Sequence, residues 1–418
     1  SRAQDEGGLR VSLGVSQGIA SGKNLSLGVP GSATNPETDR ASLSTTSLAL
    51  QVSSVTRTQR FNFQIGGSAR FGSLPAGSAI DKGFVDPFVA LSYAREGANA
   101  QFSFAGEYYE NDISRPRPLW DFSDDDNVLT PPSDLGNLQG SGTRRAYAVS
   151  AQLVTGLNAP IGFRFSASAS GARYKNTTAG NLNDFDSAQA ALSTYFRFNP
   201  LTSGVVDMSV RHYSNNTGTP DTLTRTLEVG FDRELANQGV LSARIGYTNG
   251  DSNNPAQPNG VKGVTGSVAY RQPLTDGSFS ASYVFRRTPG GEITTAMAGR
   301  TFDLRSGQLG FNLGASSVNG NSAKPVGNLY WLHEMRTSKV TVRLNRTVSA
   351  DSNNQDRFST SLTAQYTQDL SAYSSLFANF SYYVIDGTAT SNEVTRSNLS
   401  LGYEHAITEN WSLNTGVL

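Results

Sequence analysis

Histidine occurs three times, at 212, 333 and 405, and cysteine not at all. Thiol catalysis, disulfides and Cys-ligated zinc are therefore excluded. Only one histidine has a reactive neighbour at a useful spacing. In Arg211-His212-Tyr213-Ser214-Asn215-Asn216 an imidazole and a hydroxyl stand two residues apart. On a strand that spacing puts both on one face. There His212 can serve as general base for a Ser214 nucleophile, provided an acid or amide on a neighbouring strand orients the ring. Pairing across the turn at 199–203 brings Asp186 near Asn216, about a strand step beyond Ser214, and makes it the candidate third member. Pairing across 215–221 offers only Leu223 and Arg225, and neither can orient a histidine. The plainer reading is a strand-end histidine beside a loop serine, in a chain rich in Ser and Asn. His333 and His405 lie next to short turns without a metal-ligand partner, and read as structural rim residues.

Two further groups carry charge. Residues 111–143 hold the run Asp124-Asp125-Asp126. Carboxylate oxygens are the ligands Ca²⁺ takes, but the spacing matches no calcium-loop motif, and a solvated loop explains the run more simply. The second group is spread along alternating segments: Glu107, Arg164, Arg211, Glu228, Arg244, Arg286 and Arg343 all occupy polar positions. Facing walls of fixed Arg and Glu would orient small charged solutes by field; polar filling of a wide interior is the blander account. Lys+Arg and Asp+Glu are both 34, so the net charge is zero. That balance sets no ion preference and argues against a nucleic-acid partner.

The elements that position these residues read as strands. Apolar and polar residues alternate in Phe279-Ser280-Ala281-Ser282-Tyr283-Val284-Phe285-Arg286, in Leu241-Ser242-Ala243-Arg244-Ile245 and in Leu362-Thr363-Ala364-Gln365-Tyr366. Each such segment has one oily and one wet face. Twenty-one segments of this kind are predicted, from 9–17 to a last one beginning near Trp411, many of 9 to 12 residues. Short turns such as 199–203, 234–238, 272–276 and 369–373 alternate with longer connections, including 18–40, 111–143, 249–261 and 288–300. Aromatics (Phe198, Phe231, Tyr270, Tyr366, Tyr403) precede the short turns. Charged residues are only 16% and glycine stands at 42. No apolar run approaches the roughly 20 residues of a membrane-spanning helix.

So many amphipathic strands need one face covered, and no linker divides the chain into sandwich-sized domains. A closed barrel in lipid covers the oily face and pairs every backbone N–H and C=O. The expected class is all-β: a transmembrane antiparallel β-barrel of about 20–22 strands without a plug domain, since strands begin by residue 9. The expected organisation is a flexible periplasmic segment 1–8 and a barrel over 9–418. In it 111–143 is the longest extracellular loop; because 21 is odd, either one strand assignment is wrong or a closing strand is missing.

These features carry a resemblance. Segments such as Leu399-Ser400-Leu401-Gly402-Tyr403-Glu404, aromatic-plus-polar turns and Asn/Asp/Gly-rich loops resemble bacterial outer-membrane β-barrels, porin-like in outline, over nearly all 418 residues. The likeness is to an architecture, not to a subfamily. It implies an integral outer-membrane protein touching outer-membrane lipids and lipopolysaccharide. The His-x-Ser-Asn stretch is similar to that of outer-membrane phospholipases and lipid A deacylases, which would make His212 the base and Ser214 the nucleophile; those hydrolases use smaller barrels. The resemblance leads to an expected function: passive diffusion of small hydrophilic solutes through a lumen narrowed by 111–143. Its alternatives are a structural or export-partner barrel holding an envelope protein or contacting peptidoglycan, and a lipid hydrolase.

Overall fold

The computed structural model describes all residues except 1–7, 24–39, 75–79, 115–118, 123–128, 130, 139, 178–181, 217–220, 253–260, 289, 352–354, 388–391, 409 and 418. The chain folds into one antiparallel sheet of 21 strands. They are β1 (Leu9–Lys23), β2 (Arg40–Val55), β3 (Gln59–Ser73), β4 (Gly83–Glu96), β5 (Ala100–Asp112), β6 (Thr143–Thr155) and β7 (Ile161–Lys175). Then come β8 (Phe185–Asn199), β9 (Thr202–Asn215), β10 (Thr222–Glu234), β11 (Val240–Ser252), β12 (Val261–Leu274), β13 (Gly277–Thr288) and β14 (Gly291–Leu304). The last are β15 (Gly307–Val318), β16 (Lys324–Glu334), β17 (Ser338–Ala350), β18 (Asp356–Ser371), β19 (Ser374–Ile385), β20 (Val394–Ala406) and β21 (Ser412–Val417). Each strand pairs with its sequence neighbours, from β1 with β2 through to β20 with β21. Among the described residues β1 pairs only with β2, and β21 only with β20.

The two faces of the sheet differ as the alternation requires. Leu13, Leu50 and Ile65 sit opposite one another across β1–β3 and are exposed. Met208, Leu227, Tyr247 and Val264 make the same kind of row across β9–β12. An apolar surface this continuous has to be covered, and lipid covers it. The other face carries hydroxyl and amide ladders instead. Ser47 bonds to Ser68 at 2.8 Å, Gln51 to Asn62 at 2.9 Å, Thr226 to Thr248 at 2.9 Å and Thr295 to Ser316 at 2.8 Å.

At the short-turn end an aromatic row caps the apolar face. Tyr93 meets Phe102 at 6.1 Å, Tyr270 meets Phe279 at 6.5 Å and Phe302 meets Phe311 at 6.4 Å. The tyrosines also reach towards the turn: the Tyr270 hydroxyl donates to Gln272 and the Tyr366 hydroxyl to Gln368 at 2.8 Å. An oily ring with a polar tip suits a membrane interface. His333 stacks on Trp331 and His405 on Tyr403 in the same row.

β1–β20 are 11 to 16 residues long, whereas a tilted strand needs about 9–11 to cross a bilayer. The surplus gathers at the long-connection end, where the buried clusters lie. One packs Ile293, Val326, Val348 and Phe358 from β14, β16, β17 and β18. One expected loop is absent: 288–300 is a tight connection between β13 and β14, and β14 already begins at Gly291. Its inward face carries Ile293 and Met297 while Ala296 and Ala298 point outwards, which inverts the usual oily-out contrast and masks the alternation.

Candidate functional site

The 30-residue connection between β5 and β6 is where the chain departs from a plain sheet. Its base is closed by a hydrogen bond from the Ile113 amide to the Gly142 carbonyl at 2.8 Å. Its described residues turn inwards rather than standing in solvent. Leu119, Leu129 and Leu135 are buried against Tyr383 and Ile385 of β19, with Phe122 and Leu138 alongside. Leu119 and Leu135 are 0% exposed. From β20, Arg396 donates to the carbonyls of Leu135 at 3.0 Å and Leu138 at 2.7 Å. Asn398 Oδ1 accepts from the Leu119 amide at 3.2 Å. β6 and β19 stand thirteen strands apart along the sheet, so the sheet curls round and this connection bridges its interior.

Two buried arginines anchor the near side of the bridge. Arg144 at the start of β6 faces Asp134 of the connection, with Nε–Oδ2 at 2.5 Å and Nη2–Oδ1 at 2.8 Å. Its Nη1 donates to the Tyr109 hydroxyl at 2.9 Å, and the Tyr174 hydroxyl donates to the same aspartate. This two-pronged geometry is the kind only arginine supplies. On β3, Arg70 is 2% exposed and bonds Asp86 at 2.6 Å and Asp112 at 3.3 Å. Asp112 also accepts from the Asp81 and Ser114 amides, both at 2.9 Å.

A bulge aims Asp86 at Arg70. The β3–β4 register shifts between Gly66 and Ser68, where Asp86-Pro87 opposes Gly67 alone. Asp86 has φ +53°, a left-handed conformation that aspartate tolerates. Pro87 has no N–H to offer the ladder and is at home in a bulge.

Between the connection and the inner face of β1–β8 lies a cavity of about 1010 Å³. Its wall mixes aromatics (Phe88, Tyr109, Phe122, Phe185) with hydroxyls (Thr45, Ser47, Ser68, Ser170) and the ionisable Arg70, Asp86, Glu107, Asp112 and Arg144.

The seven charged residues expected on the wet face lie on the inner side of the sheet. Arg244 is held by Asp207 at 3.2 Å and Asp232 at 2.8 Å. Glu228 lies 3.1 Å from the Thr265 hydroxyl. Arg164 stands 5.8 Å from the Tyr195 ring centroid and Arg343 4.1 Å from that of Tyr330. Arg286 reaches from β13 to the Val348 carbonyl of β17 at 3.1 Å. Arg211 sits opposite Gln189 and Thr224 on β9. Glu107 faces the cavity.

The hydrolase candidates share one face but are not hydrogen-bonded to one another among the described residues. Asp186 stands directly opposite Ser214, and Ala188 opposite His212. The expected pairing of Asp186 with Asn216 is two residues out, because Asn199 pairs with Thr202 in a tight turn and the register shifts at once. His212 and Ser214 do share the outer face with Met208 and Val210, but no hydrogen bond joins them among the described residues. Asp186 is taken by the Tyr147 hydroxyl and Arg173, each at 2.6 Å. The acidic run Asp124–Asp126 lies outside the described residues, and among those described no cluster of His, Asp or Glu could hold a metal ion.

Sequence reasoning missed the Arg70 and Arg144 centres. The Asp86-Pro87 pair inside a strand pattern was the available signal for the first.

No protein-family model and no curated protein sequence matches the chain. Solved structures do match its fold. The siderophore receptor PirA from Acinetobacter baumannii aligns at 6% identity and TM-score 0.56, over 99% of this chain and 76% of that one. PiuA, a siderophore receptor from the same organism, aligns at 11% identity and TM-score 0.54, over 100% and 78%. The FrpB iron transporter from Neisseria meningitidis (F3-3 variant) aligns at 9% identity and TM-score 0.58, over 99% and 76%.

These neighbours are named as receptors and a transporter, which overturns the expectation of a porin-like passive channel. The described residues of the β5–β6 connection do more than narrow a lumen: they reach across to β19 and β20 and are tethered there. The fold is the many-stranded antiparallel architecture of outer-membrane β-barrel transporters. With its apolar outer belt and aromatic row, the chain is an integral β-strand protein of the bacterial outer membrane, its oily face against membrane lipid.

Proposed function

We propose that this chain is a substrate-selective uptake receptor for an iron chelate of the siderophore class. The observation that carries this is the buried bridge from the β5–β6 connection to β19–β20. A bridge so tethered lets through only a solute that is first bound and then admitted. The cavity beneath it, about 1010 Å³, is large enough for a chelate of drug size or above. The fold neighbours supply the substrate class, as receptors for siderophores and a transporter of iron. In this reading the sheet closes into a barrel, the long connections face the cell exterior, and the chain's own β5–β6 connection occludes its interior.

The test is accumulation of a radio-iron-labelled ferric chelate in iron-starved cells with and without the chain. Accumulation that depends on the chain supports the reading. Equal accumulation in both strains, across hydroxamate and catecholate chelates, contradicts it.

A further inference from the structure

The cavity under the bridge has a charge pattern that selects among chelates. Both of its arginines are already matched. Arg70 lies between Asp86 and Asp112, and Arg144 is held by Asp134. Glu107 projects from β5 into the same space and makes no ion pair among the described residues. The wall therefore presents an unmatched carboxylate and no unmatched cation. Asp81, beside this group, shows the same surplus: burial and the nearby Asp112 push its carboxyl above the ordinary range. Phe88, Tyr109 and Phe122 line the same cavity, and the Arg144 guanidinium stands 5.4 Å from the Tyr109 ring centroid. Ring faces favour aliphatic groups and cations, not anions.

We propose that the cavity binds the chelate and selects a neutral or cationic one over an anionic one. This rests on the uptake reading and names its substrate more narrowly. A ferric trihydroxamate is neutral and a ferric tris-catecholate carries three negative charges. The trianion would bring like charge close to Glu107, and that repulsion disfavours it relative to a neutral chelate.

The experiment is equilibrium dialysis of the purified full chain in detergent against each of these two chelates, before and after Glu107→Gln. The hydroxamate should bind at least about tenfold more tightly to the wild type, and the exchange should shrink that ratio by about threefold or more. Glu107 is exposed to the lumen, so the exchange leaves the fold intact. Equal or tighter binding of the trianion overturns the charge selection and leaves the uptake reading standing. A preference for hydroxamate that Glu107→Gln does not move overturns the placement of the site in this cavity. Binding of neither chelate overturns both.

Discussion

The buried Arg144–Asp134 pair is the most consequential contact at the scale of single residues. It is nearly dry on both sides, with side chains 5% and 2% exposed. Removing one partner from such a pair strands the other charge and costs about 3–5 kcal/mol. Arg144→Ala should therefore free the β5–β6 connection, read as rapid proteolytic cutting between 113 and 142 while the rest of the sheet resists. Adding Asp134→Asn should restore part of the resistance, because the stranded charge is gone; a single variant as resistant as wild type would show that the pair anchors nothing. Alternation alone placed Glu107 and the six other inward charges, since position parity fixes the face of a strand. It could not find Asp86, whose inward aim depends on a bulge, or Asp134, which reaches Arg144 only after the connection has folded back.

At the scale of elements, the strands were legible and the connections much less so. Every expected strand is present, and the misread stretch, 288–300, is one where inward residues are the larger ones. An inward course for 111–143 was expected, but its partners had no local signal: Leu119, Leu129 and Leu135 find Tyr383 and Ile385 some 250 residues later in the chain. Asp386 shows how the long-connection ends are tied together. Its carboxylate meets Lys324 of β16 at 3.2 Å and Arg346 of β17 at 2.7 Å, and its carbonyl accepts from Arg357 of β18 at 2.8 Å. Burial alone would raise its pKa, but the hydrogen bonds from Arg346 and Lys324 outweigh it and hold the carboxyl below its ordinary value of 3.8. A depressed carboxylate stabilises the fold above its unfolded pKa, and that contribution is lost as pH falls through the folded one. Hydrogen-exchange protection at the ends of β16–β19 should therefore hold at pH 5 and drop below about pH 4. Asp386→Asn should lower protection at pH 5 and flatten the drop. Protection unchanged down to about pH 2 in the wild type would remove Asp386 from this role.

At the scale of the whole molecule, the sheet is what composition and alternation demand, while its use follows from one connection. Few charges, abundant glycine and repeated two-residue periodicity specify a lipid-covered antiparallel sheet. They say nothing of whether its interior is open. A passive channel and a selective receptor share that periodicity, so the passive reading failed at the point where long-range packing decides. The most direct measurement is single-channel conductance of the folded protein in a planar bilayer, beside a variant with 115–139 replaced by a short Gly-Ser linker. The wild type should show no steady open level, and the variant should conduct continuously. A wild type that is steadily open, with conductance equal to that of the variant, would contradict the account.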